Sequence, residues 1–167
     1  MLSCTVHGAL NGTVSAPVSK SDLHRLIIAC ALSCGESLIH RYTLSQDIQA
    51  TANVIGALGA SVRFENDCTI VNGISPSNES AQSEILCDCN ESGSTLRFLM
   101  PVALAVRGGG RFTGRGRLME RPQEPYFELF REKGISCEYQ DGALVLSGRL
   151  APGVCRLRGD VSSQFIT

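Results

Sequence analysis

Four clusters in this chain have the residue types and spacing that anion chemistry needs. They are Lys20-Ser21 with Arg25, Gly93-Ser94-Thr95 with Arg97, Glu120-Arg121-Pro122, and the run from Asp160 through Ser162 and Ser163 to Gln164. Three of them belong to polar turns that open onto apolar segments about seventy positions apart. Ser19-Lys20-Ser21 precedes Leu23 to Ala29, Gly93-Ser94-Thr95 precedes Leu96 to Met100, and Val161 to Gln164 precedes Phe165-Ile166-Thr167. A helix beginning at such a turn offers unpaired N–H groups and a partial positive charge, so each turn is a potential anion seat. Lys20, Arg25 and Arg97 add full charge beside these seats.

Each cluster alone has a plainer reading. A lysine at a helix start is commonly a solvated residue, a serine pair there is first of all a cap, and Arg97 inside an apolar helix suits an ion pair with Asp47 or Glu91 as well as a ligand. Their recurrence at equivalent places of a repeat favours the functional reading, because equivalent helix starts converge on one end and their partial charges add.

The elements that must hold these residues repeat as well. Ala57 to Phe64 aligns with Glu132 to Tyr139 at a constant offset of 75, and without a gap the register continues into Ile70-Val71-Asn72-Gly73 against Val145-Leu146-Ser147-Gly148. One supersecondary unit is therefore used at least twice. The first copy, residues 13–74, reads βαβαββ. It starts with an extended stretch from Thr13 to Ala16 and a helix capped by Ser21 that runs to about Ser33. A strand at Ser37 to Tyr42, a second helix from Ser45 or Gln46 to Gly59, and a hairpin over Asn66-Asp67 follow. After a Ser/Asn-rich connector, residues 84–150 repeat the pattern: a strand at Glu84 to Cys89, an apolar helix from Ser94 to Val106, a strand at Arg111 to Thr113, a helix from Pro122 to Lys133, and a hairpin over Asp141-Gly142. Residues 153–167 read as the start of a third, truncated unit, with Arg156-Leu157-Arg158 its first strand and a helix from Ser162 or Ser163. The fold class is α/β, built of repeated βαβαββ units in an incomplete single domain, with the apolar helices led by Leu26 and Leu99 buried.

Composition narrows the rest. With 43% hydrophobic and 19% charged residues among 167, a packed core is expected, and a net charge of −1 carries no nucleic-acid footprint. No apolar run is long enough to span a membrane and no secretion signal opens the chain, so a cytoplasmic protein is expected. The eight cysteines include no C-x-x-C pair, and Cys87-Asp88-Cys89 has no second ligand pair beside it; they read as reduced core residues, with no metal site.

Together the motifs resemble the enolpyruvyl transferases, and among them the branch that acts on shikimate 3-phosphate. Pro17-Val18-Ser19-Lys20-Ser21 with Arg25 matches that family's P-x-S-K-S signature and its following arginine. Gly93-Ser94-Thr95-Leu96-Arg97, Leu118-Met119-Glu120-Arg121-Pro122 and Gly159-Asp160-Val161-Ser162-Ser163-Gln164-Phe165 follow in the family's order. Val18, His24, Glu91, Ser92 and Phe98 depart from its usual residues.

The resemblance implies an inside-out α/β barrel of two similar domains, each of three βαβαββ units, in members usually monomeric. This chain would be an N-terminal part of one domain, with residues 1–12 a strand of the absent second domain. It implies transfer of enolpyruvyl from phosphoenolpyruvate to the 5-hydroxyl of shikimate 3-phosphate, with no cofactor, no metal, no nucleic acid and no membrane. Ser21, Arg25, Ser162, Ser163 and Gln164 would hold shikimate 3-phosphate. Lys20, as a catalytic group, with Gly93, Arg121 and Gln164 would surround phosphoenolpyruvate, Gly93 leaving room for it and for its competitor glyphosate. General acid and base groups would lie outside this chain, leaving it inactive alone and open to self-association. The sister branch acting on UDP-N-acetylglucosamine fits less well, since it has asparagine in place of Ser21 and lacks the Ser162-Ser163-Gln164 seat. A non-catalytic anion-binding module is the reading from a different class.

Overall fold

The computed structural model describes residues 5, 7–9, 11–40, 42–75 and 84–167. The connector expected from Ser75 to Ser83 lies outside them beyond Ser75, as do residues 1–4, 6 and 10 of the segment expected to form a strand for another domain. The first unit consists of helix α1 (Lys20–Leu32), strand β1 (Glu36–His40), helix α2 (Gln46–Ala57) and the hairpin β2 (Ser61–Phe64) and β3 (Cys68–Asn72). In the second, β4 (Leu86–Asp88), α3 (Gly93–Arg107), β5 (Gly109–Thr113), α4 (Glu124–Glu132), β6 (Ser136–Gln140) and β7 (Ala143–Ser147) give the full βαβαββ order.

The two sheets correspond strand for strand. One runs β1-β3-β2 and the other β4-β5-β7-β6, so β1, β3 and β2 answer to β5, β7 and β6. The 75-residue offset holds through the hairpins: β3 begins at Cys68 and β7 at Ala143, and the glycines before the hairpins, Gly59 and Gly134, both adopt positive φ. Asp141 and Gly142 take φ of 50° and 76°, the left-handed pair that a two-residue hairpin turn demands.

The first unit differs from expectation at its beginning. Thr13 to Ala16 form no strand and are exposed, so the observed order there is αβαββ and nothing among the described residues pairs with β1 where β4 pairs with β5. Arg156 to Arg158 likewise form no strand; they follow Pro152 and Gly153 as coil without a ladder partner. The cap of α1 is Ser19 rather than Ser21: its Oγ accepts from the Asp22 N–H at 3.3 Å while its own backbone stays extended. α4 starts at Glu124 with Pro125 in its first turn, leaving Pro122 outside the helix.

The helices converge on one core. Leu23, Ile27, Ile48, Ile55, Leu96, Leu99, Met100, Leu104, Phe112, Phe130 and Leu144 are buried in it, each removing apolar surface from water. α3 is almost wholly enclosed, as its sequence predicts. α1 is not: Leu26 and Leu32 are 48% and 51% exposed, because α2, α3 and the first sheet cover only one side of it. Cys87 and Cys89 are core residues, burial pushing the Cys87 thiol up to about 12, whereas Cys34 and Cys155 lie on the surface.

Candidate active site

Serine caps set where the site's helices begin. Ser45 Oγ accepts from Ile48 N–H at 3.3 Å and Ser92 Oγ from Thr95 N–H at 3.1 Å, fixing the first turns of α2 and α3 as Ser19 fixes that of α1. The last segment of the chain lies against two of these starts. It forms a 3-10 turn over Ser163–Phe165, and Ser162 caps it by accepting from Gln164 N–H at 3.3 Å. From this turn Gln164 Nε2 donates to Ser94 Oγ at 2.8 Å, on α3. Arg25 of α1 donates through Nη2 to Thr167 Oγ1 at 2.9 Å, and that hydroxyl donates to the Ser163 carbonyl at 3.3 Å. Three motifs spread over some 140 residues are thus joined by direct hydrogen bonds.

The fourth motif closes in beside Gly93. A Cβ placed on Gly93 would lie 2.6 Å from Arg121 Nη1 and 3.9 Å from Gln164 Oε1, so the space that a glycine leaves is where the Arg121 guanidinium lies. The Arg121 backbone is held by its N–H, which donates to Leu118 O at 3.2 Å.

Arg97 is buried, and neither expected ion pair forms. Its Nη1 donates to Gln164 Oε1 at 2.7 Å, its Nη2 to the Pro122 carbonyl at 3.1 Å and its Nε to Gln123 Oε1 at 3.4 Å, while its guanidinium stacks 4.7 Å from the Phe165 ring centre. All these partners are neutral. Burial and then the neighbouring Arg121 charge hold the Arg97 pKa below its ordinary value. Two guanidiniums side by side give this corner a positive potential suited to an anion.

Asp47, one of the two acids expected beside Arg97, instead accepts from Lys20 Nζ at 2.6 Å. The pair is partly exposed, so a bound anion could compete for the ammonium. Sequence reasoning misses Asp47 as a site residue, although its place in the first turn of α2, two residues after a serine cap, marks it. Of the remaining predicted residues, Ser21 and Ser163 are exposed, and the Ser21 carbonyl accepts from Arg25 Nη1 at 2.9 Å.

A buried polar chain lies beneath the seats. His24 Nδ1 and Thr51 Oγ1 are 2.7 Å apart, Thr51 and Thr95 hydroxyls 2.7 Å, and the Thr95 hydroxyl reaches Ser92 Oγ at 2.7 Å and the Asp47 carbonyl at 3.3 Å. One proton order satisfies it: Nδ1–H donates to Thr51, Thr51 to Thr95, and Thr95 onward. Only a bare Nε2 lone pair then stays without a partner, which costs less than stranding an N–H there. Burial keeps His24 neutral, lowering its pKa to about 4 against a smaller opposing pull from Asp47; Lys20 and Arg25 push it further down. These residues are scattered singly through three helices, so no sequence spacing signals the chain they form.

A family profile described as EPSP synthase (3-phosphoshikimate 1-carboxyvinyltransferase) matches residues 4–167. Among curated relatives, the 3-phosphoshikimate 1-carboxyvinyltransferase of Clostridium beijerinckii is 45% identical over 166 residues, covering 96% of this chain and 38% of that protein. Its namesake from Clostridioides difficile is 42% identical, covering 95% and 38%. The chain therefore spans 38% of the length of these relatives. Two solved structures of EPSP synthase from Acinetobacter baumannii superpose with TM-scores of 0.71 and 0.67 at 21% and 24% identity, covering 86% and 89% of this chain and 33% of theirs. Those likenesses establish the fold, an enolpyruvyl transferase architecture of which this chain holds part.

Proposed function

The chain belongs to the EPSP synthase family, and on that premise we propose that it supplies one wall of a site that transfers enolpyruvyl from phosphoenolpyruvate to shikimate 3-phosphate. The observation that carries this reading is the bridge made by residues 162–167: Gln164 bonds Ser94 at the start of α3, and Thr167 bonds Arg25 on α1. Two cationic corners are thereby joined at one end of the helices, as a reaction between two anions requires.

In this reading Arg25, Ser21, Ser162 and Ser163, with Gln164 at the border of the two seats, take the phosphate and ring hydroxyls of shikimate 3-phosphate. Lys20, Arg121 and Gln164 take phosphoenolpyruvate, against the bare Cα of Gly93. The substrate 5-hydroxyl bonds to C2 of phosphoenolpyruvate and loses its proton while C3 gains one. The C2–O bond to phosphate then breaks, C3 gives up a proton, and the enol ether and inorganic phosphate leave. Within this chain Lys20 is a group able to exchange Asp47 for the departing phosphate. The other proton-moving groups are expected outside these 167 residues, so the chain alone binds without turnover, with weak affinity in the millimolar range. The proposal places the protein in the cytoplasm; among the described residues no helix is long and apolar enough to cross a membrane.

Titration of the chain with each substrate tests the reading. Removing one charged partner of a bound phosphate or carboxylate costs about 1.5–3 kcal/mol, or roughly ten- to a hundredfold. Lys20→Ala and Arg121→Ala should weaken phosphoenolpyruvate by that factor, and Arg25→Ala and Ser163→Ala should act on shikimate 3-phosphate, the serine by less. Equal effects of Lys20→Ala and Ser163→Ala on both ligands would dissolve the assignment of separate seats. Turnover by the isolated chain would overturn its dependence on outside groups.

A further inference from the structure

We propose that Arg97 is a positioning residue: it makes Gln164 present its amide N–H groups, and it sets Arg121 against Gly93, without itself touching substrate. The proposal rests on the phosphoenolpyruvate seat assigned above. Four contacts carry it. Arg97 donates to Gln164 Oε1, to the Pro122 carbonyl and to Gln123 Oε1, and its guanidinium lies over Phe165. It therefore holds the residue next to Arg121 and both residues at the centre of the 162–167 bridge.

The consequence for Gln164 is chemical as well as geometric. A carboxamide has an accepting end and a donating end, and near an anion only the donating end is favourable. Arg97, a donor only, fixes the carbonyl oxygen toward itself, so the amide nitrogen turns to Ser94 at the start of α3, to which it donates at 2.8 Å, and its second N–H is left for the anion. Turned the other way, Gln164 would place Nε2–H against a guanidinium and its oxygen toward the bound anion. Both contacts would then be lost.

Arg97 is also unavailable for direct binding. It is 8% exposed, and its polar atoms point at three protein acceptors. Its stacking platform is itself fixed: Phe165 meets Tyr126 edge-on with ring centres 4.8 Å apart, and Tyr126 stacks on Phe130 at 5.3 Å. A guanidinium is needed because its fork reaches three acceptors at once; an ammonium keeps the charge but cannot reach all three.

The test compares Arg97→Lys and Arg97→Met with the parent chain by NMR, reading the Gln164 side-chain amide and the Arg121 Nε–H directly, after thermal unfolding has checked the fold. Without any ligand, both variants should shift and broaden these signals while those of Ser21 and Arg25 stay in place. If the Gln164 and Arg121 signals do not move, the proposal fails, whatever binds. With ligand, phosphoenolpyruvate affinity should fall about tenfold or more in Arg97→Lys, and shikimate 3-phosphate affinity by less than about threefold. Uniform loss of both would make Arg97 merely structural. In Arg97→Lys/Gln164→Leu the loss should fall short of the sum of the two single losses, since part of the Arg97 effect passes through Gln164 and only the Arg121 part remains; fully additive losses would overturn it. If the parent chain binds neither substrate, the seat assignment falls while the ligand-free signals still decide the role of Arg97. Should Arg97→Met not fold, Arg97→Lys carries the test.

Discussion

At the scale of residues, the site is defined by what faces what. Gly93→Ala would put a methyl 2.6 Å from the end of a flexible arginine. The side chain moves and the fold survives, so stability should change by less than about 1 kcal/mol while phosphoenolpyruvate affinity falls as Arg121 is pushed aside. Competition titration should show glyphosate, the longer molecule, losing more than phosphoenolpyruvate; an unchanged ratio would mean that Gly93 does not border the ligand. His24 makes a pH prediction. Its pKa is lowered from 6.5 to about 4 in the folded chain, so between those values the unfolded state binds more protons and stability rises with pH. The contribution is complete above about pH 6.5 and is lost as pH falls toward 4. It is on the order of 3 kcal/mol. Urea unfolding at about pH 4.5 and about pH 7 should show a smaller difference in His24→Asn, which retains a polar partner for Thr51 without the titration. An identical difference in both proteins would remove His24 from the acid response.

At the scale of elements, the repeat is enforced where strands meet helix ends. Gly73 follows β3, and a Cβ on it would run into the backbone carbonyl of Ser33 just past α1; its repeat partner Gly148 would meet Ile135 at 3.1 Å. Backbone cannot swing aside as a side chain does. Gly73→Ala should therefore cost about 2–3 kcal/mol by denaturant unfolding, whereas Gly56→Ala, inside α2 with open space for its methyl, should be neutral or stabilise by up to about 1 kcal/mol. Comparable costs would show that the α1–β3 junction is looser than the structure places it. The shared polar chain from His24 through Thr51 to Thr95 crosses three helices, so it couples the start of α1 to that of α3.

At the scale of the whole molecule, the surface is larger than its mass requires. The accessible area is 10471 Å² for 17.9 kDa, against roughly 8,000 Å² for a closed monomer of that size. Part of the excess is the exposed segment 11–19, which packs on nothing among the described residues, and part is the outer face of α1 with Leu26, Ala29 and Leu32. The chain in isolation is expected to self-associate through that face, not through a sheet edge at Arg156 to Arg158, where no strand forms. Light scattering should show concentration-dependent mass that returns to the monomer value in Leu26→Lys/Leu32→Lys. A parent chain that stays monomeric at every concentration would refute this.

The sequence by itself determined the repeat, the hairpins and, to within two residues, where the helices begin. Each depends on near neighbours: a serine three residues before an N–H, an Asp-Gly pair at a turn, an apolar spacing along a helix. It also placed Lys20, Arg25, Gly93, Arg121 and Gln164 in ordered motifs that match the family. Only the tertiary structure decided that Lys20 pairs with Asp47, that Arg97 spends its donors on Gln164, Gln123 and Pro122, and that His24 anchors a hydroxyl chain through α2 into α3. Those choices turn on which of several chemically equal partners folding brings within about three ångströms, and partners 25 to 67 residues apart leave no periodic trace in the chain. The strands expected at Thr13 to Ala16 and at Arg156 to Arg158 fail for the same reason. A strand exists only where another strand completes its hydrogen bonds, and its own residues do not encode that partner.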